Sequence, residues 1–287
     1  MRNIKYFFQF IVIIFLFFLF KILGYKLSSN LSGYIFSILG PLFRSNYIAN
    51  KNLEKGMPGS SPKERSKLLN KMWINYGKIL SDYIYIKHFR NSPNFSKKIV
   101  IENQKVLDDL KLKNEPVIFI SGHFNNFELM AMHIEKSGID LAAVYRPLNN
   151  QFLNPIMEKI RLNYICKKQI KKGISGTKQL LKYFKNKTSV ALMIDQRVSQ
   201  GIKCKLFNEN ALTTTIPAQF VKKFKTKIVP IYIERTFENT FKLKIYEPIN
   251  FSENADIESI TSELNKILER MILKNPDQWI WTHNRWK

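Results

Sequence analysis

The sequence predicts an α/β fold with a mostly parallel sheet flanked by helices, preceded by an N-terminal transmembrane helix. Short β-rich apolar runs alternate with amphipathic helical patterns from about residue 61 onward, which is the order of elements in parallel α/β layers. Hydrophobic residues make up 45% of the 287 residues, which is enough for a packed core. An unbroken apolar run at residues 10–20 accounts for the predicted membrane helix.

The N-terminal apolar run reaches the length of a membrane span when two polar residues within it are tolerated. It extends over residues 6–23 if Gln9 is accepted and Lys21 extends its side chain to the interface. The residues that follow the run make a poor signal-peptidase site, so we expect an uncleaved, single-pass anchor over residues 1–26. Basic residues flank the run on both sides, so loop charge does not fix its orientation.

A connecting segment is expected over residues 27–60. Its apolar stretch, residues 31–43, is too short to span a bilayer and contains Gly33, Gly40 and Pro41. We therefore expect an interfacial or re-entrant segment that lies along the membrane. Residues 61–287 contain neither an internal repeat nor a low-complexity linker and are expected to form one domain.

Helix and strand patterns alternate through this domain. A helix is expected after Pro62 because apolar residues recur at helical spacing, namely Leu69, Met72, Trp73, Tyr76, Leu80 and Tyr83. Buried strands are expected at 117–120, 141–145 and 189–194, and a hairpin-like pair at 228–234 and 241–246. Further helices are expected at 126–136, 149–162, 177–184 and 257–273.

The charge of the chain indicates anionic partners. Lys and Arg number 46 against 22 Asp and Glu, a formal net charge of +24. Such an excess favours nucleic acid, an anionic membrane surface, or an acidic protein or lipid. A nucleic-acid-binding protein would gather its basic residues on one helix or tail, whereas here they are spread along the chain. The cysteines, Cys166 and Cys204, lie in no metal-binding pattern, so we expect reduced thiols and no bound metal.

The motif that carries chemistry lies at residues 121–128, directly after a predicted strand. His123 and Glu128 are five residues apart, and on a regular helix this spacing would turn them about 140° away from each other. The pair can meet if His123 lies in the loop at the carboxyl end of the strand and Glu128 in the first helical turn, at the edge where open α/β sheets bind ligands. A carboxylate beside an imidazole suits a general base that activates a hydroxyl.

A purely structural interpretation of the same residues stays open. Asn125 and Glu128 have the spacing of a capping box, with Asn125 as N-cap and Glu128 reaching back to its amide. His123 would then be an ordinary loop residue. His283 lies in a tryptophan-rich segment, where we expect an aromatic cluster that seals the C-terminal region.

Several sequence blocks, taken in order, resemble one known family. They are Gly122-His123-Phe124-Asn125-Asn126-Phe127-Glu128, Tyr145-Arg146-Pro147, a helical Arg161, Asp195-Gln196, and the closing block from Pro276 to Trp286. Together with the N-terminal apolar helix they resemble the late acyltransferases of lipid A biosynthesis, the lauroyl/myristoyl transferases, within the wider His-x4-Asp/Glu acyltransferases. The departures are Phe127 in place of Trp, Asn208 where the family has a turn glycine, and Asn284 in place of Arg.

The resemblance implies a glycerolipid-acyltransferase-like fold and an enzyme of lipopolysaccharide biosynthesis. The expected reaction moves a fatty-acyl chain from acyl carrier protein to a hydroxyl of an acylated lipid A precursor, with His123 as base and Glu128 as its partner. Backbone amides at the helix start are expected to stabilise the oxyanion. The expected substrate-binding residues are Arg146, Arg161, Asp195 and Gln196, with the two arginines as candidates for sugar phosphates or structural ion pairs.

The resemblance also implies the protein's surroundings. We expect a bacterial inner-membrane protein whose catalytic domain faces the cytoplasm. Its partners would be the acidic carrier protein, the anionic glycolipid acceptor and membrane lipids, with no cofactor besides the carrier thioester. Two alternatives stay open: an acyltransferase of another glycolipid or phospholipid, and a non-catalytic, basic, membrane-tethered binding protein.

Overall fold

The fold is described here for residues 2–287 of a computed structural model. The strands are β1 Ile99–Glu102, β2 Ile118–Ser121, β3 Leu141–Tyr145, β4 Lys168–Lys171, β5 Ser189–Met193, β6 Ile202–Leu206, β7 Glu209–Thr213, β8 Ile228–Arg235 and β9 Phe241–Ile245. The helices are α1 Arg2–Phe43, α2 Asn46–Gly56, α3 Pro62–Asn91, α4 Pro93–Ser96, α5 Lys105–Lys113, α6 Glu128–Lys136, α7 Asn154–Tyr164, α8 Ile174–Lys185, α9 Ile216–Phe224 and α10 Ile257–Lys274. Short 3₁₀ turns lie at Phe237–Asn239 and Pro276–Gln278.

Within the described residues, seven strands form one sheet in the order β1-β9-β8-β2-β5-β3-β4. All neighbouring pairs in it are parallel except β8 and β9, which form an antiparallel pair around the turn at Phe237–Asn239. Strands β2 and β8 are buried along their whole length, as expected for parallel strands covered on both faces. The predicted α/β class with a mostly parallel sheet is confirmed, and so is the predicted hairpin-like pair.

Helix α1 is, among the residues described, the one helix long and apolar enough to cross a membrane. Its most apolar part is largely exposed, which fits the predicted N-terminal membrane anchor. Gly24 interrupts the helical backbone with φ 74° and ψ 167°, so α1 consists of two helical halves. A φ of this sign is accessible to glycine at little cost, which explains the residue at the break.

The second half of α1 packs closely against α3. The Ser32 hydroxyl donates a 2.6 Å hydrogen bond to the carbonyl oxygen of Gly77, and Gly40 lies against the ring of Trp73. Small residues at these positions let the two backbones approach each other. The separate interfacial segment expected over residues 31–43 is therefore, in the structure, a continuous helix held on α3. Its outer face, which includes Tyr34, is exposed, and contact of that face with the bilayer stays a prediction.

Eight elements were missed by the sequence patterns, namely α2, α4, α5, α9, β1, β4, β6 and β7. Helix α2 is short and mostly polar, but its Asn52 donates hydrogen bonds to the carbonyl oxygens of Trp281 (2.8 Å) and His283 (2.7 Å). Strands β1 and β4 are four-residue segments with Lys or Glu among their residues, and they form the two edges of the sheet. Charged side chains on edge strands prevent unwanted strand pairing, and they also hide the strand pattern.

The contact between α1 and α3 predicts an unusual effect of a Gly77→Ala substitution. Alanine in a helix interior normally stabilises by about 1 kcal/mol relative to glycine. A methyl group at this position would overlap the carbonyl oxygen of Ser32, so we expect the substitution to lower the midpoint of thermal unfolding of the detergent-purified protein. Lys71→Ala on the exposed face of α3 is the control and should leave the midpoint unchanged. A more stable Gly77→Ala protein would contradict the close approach of the two helices.

Candidate functional site

The parallel register of β2 and β5 brings His123 and Asp195 together. Ser121 pairs with Met193 at the carboxyl ends of the two strands, and the pair of interest lies two residues further along each chain. The Nδ1 atom of His123 lies 2.8 Å from Oδ1 of Asp195, and the backbone amide of His123 donates a 2.8 Å hydrogen bond to Oδ2. The site therefore lies at the sheet edge where the sequence predicted it.

Asp195 is a buried, ionised carboxylate. Its exposed fraction is 2%, and it also accepts a 2.9 Å hydrogen bond from the indole nitrogen of Trp279. Burial alone would raise the pKa of the carboxyl group, but the neighbouring His123 and the donated hydrogen bonds outweigh it and lower the pKa to about 2. Since the carboxylate is charged at neutral pH, the proton in the short contact is on Nδ1 of His123.

His123 is held so that its second ring nitrogen stays available. Burial lowers the pKa of the imidazole, but the charge and hydrogen bond of Asp195 raise it by more, so the net shift is upward. The ring of Phe127 packs edge-on against the imidazole at 4.8 Å between centroids. With Nδ1 directed at the carboxylate, Nε2 is directed away from it, and the side chain remains 19% exposed. This orientation is the one that a general base requires.

The predicted partner of His123 is wrong. Glu128 accepts hydrogen bonds from the hydroxyl of Tyr83 (2.7 Å) and from Nε of Arg161 (2.8 Å). The Nη2 atom of Arg161 lies 2.7 Å from Oε1 of the same carboxylate. Glu128 is the first residue of α6, so its side chain leaves the loop toward α3 and α7. Asp195 holds the imidazole instead. The charge of Glu128 still contributes, after that of Asp195, to raising the pKa of His123.

The capping-box interpretation also differs from the structure. Asn125 has a positive φ of 37°, and its side-chain oxygen accepts a 2.8 Å hydrogen bond from the amide of Asn126. Helix α6 begins at Glu128, whose carboxylate is engaged by Arg161 rather than by the amide of the proposed cap. The motif therefore forms a tight loop whose two ends are fixed by different carboxylate contacts.

The expectation of free backbone amides at the start of α6 is wrong for residues 123–127. The amide of His123 donates to Asp195, that of Phe124 to the Gly122 carbonyl, and that of Asn125 to the Gln278 carbonyl. The amides of residues 126 and 127 both donate to Asn125. Two of these five donors are satisfied from outside the loop, by Asp195 and Gln278, and the other three within it.

The predicted substrate residues occupy different surroundings. Arg161 is buried, with an exposed fraction of 8%, and it forms the structural ion pair that the sequence left as an alternative. Its Nη1 is buried without a hydrogen-bond partner in the described part of the chain. Arg146 is exposed one residue after β3, and Gln196 is half-buried directly after Asp195. Arg146 and Gln196 thus follow the carboxyl ends of β3 and β5, and Arg161 lies on α7 near the same edge of the sheet.

A buried polar network that contacts the loop between β2 and α6 was not predicted. Asp82 on α3 forms an ion pair with Arg235 at the end of β8 and accepts a 3.1 Å hydrogen bond from the side-chain amide of Asn126. The hydroxyl of Tyr25 completes the network, 3.3 Å from both Asp82 and Arg235. The sequence contained one signal for this network. Asp82 lies seven residues, or about two helical turns, before Phe89, so it falls on the inward face of the predicted amphipathic helix.

The C-terminal block, residues 276–286, packs against the segment that carries Asp195. Trp279 and Trp281 are buried and pack edge-on at 4.7 Å between centroids. The Nε2 atom of His283 accepts a 3.0 Å hydrogen bond from the amide of Arg197, and burial lowers the pKa of the His283 imidazole. The tryptophans of this block form an aromatic cluster, and the contact of His283 described here is a hydrogen bond to the backbone.

A cavity of about 540 Å³ lies elsewhere, between the ends of α1, α2 and α3. Its lining includes Asn46, Arg65 and Trp73 but neither His123 nor Asp195. This cavity therefore does not mark the candidate site, which is defined instead by the imidazole–carboxylate pair at the sheet edge.

An imidazole oriented by a buried carboxylate at this edge is suited to an enzyme that activates a hydroxyl. Comparison with known proteins identifies the class as acyltransferases. The family model of bacterial lipid A biosynthesis acyltransferases matches residues 1–287, and the chain belongs to this family. The protein is therefore an acyltransferase of lipid A biosynthesis, as its resemblance to the family predicted.

Individual relatives are distant but cover most of the chain. The lipid A biosynthesis palmitoleoyltransferase of Escherichia coli K12 is 24% identical over 251 residues, which cover 86% of this chain and 80% of the relative. The lipid A biosynthesis lauroyltransferase of the same strain is 24% identical over 248 residues, covering 84% and 78%. The lipid A biosynthesis acyltransferase of Haemophilus influenzae is 22% identical over 262 residues, covering 89% and 81%.

The geometry predicts which carboxylate controls the titration of His123. In the native protein we expect the imidazole to titrate above its ordinary pKa of about 6.5. Asp195→Asn removes the charge that holds the proton, so the pKa should fall. Glu128→Gln should lower it by less, because Glu128 is a lesser contributor to the shift. The ring resonances of His123 in NMR spectra would report each pKa. A larger shift in Glu128→Gln would restore Glu128 as the principal partner.

Proposed function

We propose that the protein transfers a fatty-acyl chain from the thioester of acyl carrier protein to a hydroxyl of an acylated lipid A precursor. The observation that supports this proposal most directly is the orientation of His123, whose Nδ1 faces Asp195 and whose Nε2 is left for substrate. In the proposed reaction Nε2 takes the proton of the acceptor hydroxyl, and the oxygen attacks the thioester carbonyl carbon. The tetrahedral intermediate then collapses to an ester, and the carrier thiolate leaves with the proton from Nε2.

Asp195 is proposed to keep the imidazole in the correct tautomer and to stabilise its cationic form during the reaction. A carboxylate with a pKa of about 2 remains charged through this step, so it does not itself take the proton. Trp279 and the amide of His123 fix its orientation through hydrogen bonds. The reaction proposed in this way uses no cofactor besides the thioester.

Glu128 is proposed to act on His123 through its charge and to hold the substrate side of the site together with Arg161 and Tyr83. Its carboxylate supplies the counter-charge of the buried Arg161 guanidinium. Glu128 is thus retained as a site residue, with a role different from the one the motif indicated.

Arg146 and Gln196 are proposed to bind the polar part of the acceptor. The exposed guanidinium of Arg146 follows β3 at the carboxyl edge, where it can pair in a bidentate manner with a sugar phosphate. Gln196 lies beside Asp195, where its amide can serve a sugar hydroxyl. Since Arg161 is already paired with Glu128, Arg146 is the better candidate for the phosphate.

The net charge of +24 supports the proposed partners. An acidic carrier protein, a phosphorylated acceptor and an anionic membrane surface are all attracted by a positive surface. We propose a location in the inner membrane with the catalytic domain on the cytoplasmic side, where the carrier protein would be reached. We propose the same division of the chain as the sequence predicts: an anchor over residues 1–26, a connecting segment over residues 27–60 and an acyltransferase domain over residues 61–287.

A substitution at His123 tests the proposed base. His123→Ala should lower turnover by at least ~100-fold, the low end for the loss of general acid–base catalysis. The exposed His88 on α3 provides the matched control, because His88→Ala removes the same group outside the site. Turnover is measured with purified protein, a carrier thioester and an acylated lipid A precursor, and the product is identified by mass spectrometry. Near-normal turnover of His123→Ala would remove it from the mechanism.

Salt dependence tests the proposed carrier protein. Raising ionic strength from about 50 to 500 mM shortens the Debye length from roughly 14 to 4 Å. If charge steers the encounter with an acidic carrier, kcat/KM for the carrier thioester should fall steeply. A thioester on a small neutral carrier should lose much less, although both assays share the anionic acceptor. Equal salt sensitivity of the two donors would assign the positive charge to the acceptor or the membrane instead.

A further inference from the structure

The first half of α1 is held against the domain at two places along its length. The hydroxyl of Tyr85 donates a 2.7 Å hydrogen bond to the carbonyl oxygen of Phe20. Near the other end, the side-chain amide of Asn150 donates a 2.8 Å hydrogen bond to the carbonyl oxygen of Tyr6, and the rings of Phe10 and Phe152 lie 6.1 Å apart between centroids. A helix that served solely as a tether would not need contacts at both of its ends.

These contacts place the helix across the catalytic edge of the sheet. Tyr25, directly after the break at Gly24, reaches Arg235 at the end of β8, and Asn150 lies in the loop that follows β3. Strands β2 and β5 lie between β8 and β3 in the sheet, and their carboxyl ends lead to His123 and Asp195. Residues 6–23 of a helix span roughly 26 Å, whereas three strand spacings cover about 14 Å, so the helix is long enough to cross.

The two faces of this helix differ in exposure. The outward face is a stripe of exposed apolar residues at helical spacing, namely Ile4, Phe8, Ile11, Phe15, Phe18 and Ile22. The inward face is half-buried at Phe10, Ile13 and Phe17 and fully buried at Phe20. The intermediate exposure of Phe10, Ile13 and Phe17 shows that the domain does not cover these apolar side chains completely. The outward stripe is continuous with the surface expected to contact lipid.

We propose that the inward face of residues 10–17 forms one wall of the binding cleft for the acyl chain of a membrane-embedded substrate. The proposal rests on the proposed function and extends it, because the anchor becomes part of the substrate site. A cleft bounded by a helix whose other face meets lipid opens directly into the bilayer. An acyl chain can then extend from the lipid toward His123 along apolar side chains, without passing through water.

Matched double substitutions test this wall. Ile13→Ala with Phe17→Ala removes one isoleucine and one phenylalanine, four residues apart, from the inward face. Ile11→Ala with Phe15→Ala removes the same two residue types at the same spacing from the outward face. Both proteins have the same composition and should remain in the membrane after a carbonate wash. We expect the inward variant to lose about tenfold or more in kcat/KM and to change its preference for chain length, since one methylene in an apolar pocket is worth about 10–200-fold.

The outward variant should stay within about twofold of the native protein, as expected for surface substitutions away from a binding site. Equal losses in the two variants, with unchanged chain-length preference, would overturn the proposal. Failure of the proposed function is separate, because the native protein would then transfer no acyl chain at all. If the inward variant unfolds in detergent, Phe17→Trp is measured instead. This larger side chain should narrow the cleft and shift the preference to shorter chains, and an unshifted preference would count against the wall.

Discussion

The ion pair between Asp82 and Arg235 is the interaction on which the surrounding structure depends. Both side chains are buried, with exposed fractions of 0% and 3%, and taking two such charges out of water costs several kcal/mol per ion. This cost is offset only if the two groups meet with good geometry and their remaining donors and acceptors are satisfied. Tyr25 and Asn126 supply two of these additional contacts, whereas Nε of Arg235 has no hydrogen-bond partner among the described residues. The pair therefore requires α1, α3, β8 and the loop after β2 to come together in one arrangement.

This requirement extends to the proposed catalytic residues. Asn126 is three residues from His123, so fixing its side chain on Asp82 fixes the path of the loop between β2 and α6. On the same helix, the residue after Asp82 is Tyr83, which donates to Glu128 at the other end of that loop. One helix thus holds both the middle and the end of the motif. The imidazole is then oriented from the opposite side, by the carboxylate of Asp195 in the segment that follows β5.

The class of fold and the position of His123 follow from local sequence, because alternating apolar runs and a strand–glycine–histidine segment are visible in short windows. The identity of the carboxylate that holds His123 does not follow from such windows. Asp195 is 72 residues away, and its proximity depends on β2 and β5 being neighbours in the sheet, which no local pattern specifies. The five-residue spacing marked the loop between β2 and α6 correctly as a tight loop, but Arg161 and Tyr83 decide where the carboxylate of Glu128 points. The continuation of α1 beyond Gly24 was missed because its serines and glycines have low helix propensity. In the structure these small residues face α3, and the close packing of the two helices stabilises the segment.

Trp279 gives the site a dependence on the order in which the chain is made. Its indole holds the carboxylate of Asp195 across 84 residues of sequence, while Asn52 near the other end of the chain holds the carbonyl oxygens of Trp281 and His283. Domains fold as units and a chain leaves the ribosome from its N-terminus, so α1 emerges long before these tryptophans do. The growing protein can therefore reach the membrane while its imidazole still lacks a fixed partner. The hydrogen bond that Trp279 donates to Asp195 is thus among the last contacts of the site to form, after residues 279–283 have been released.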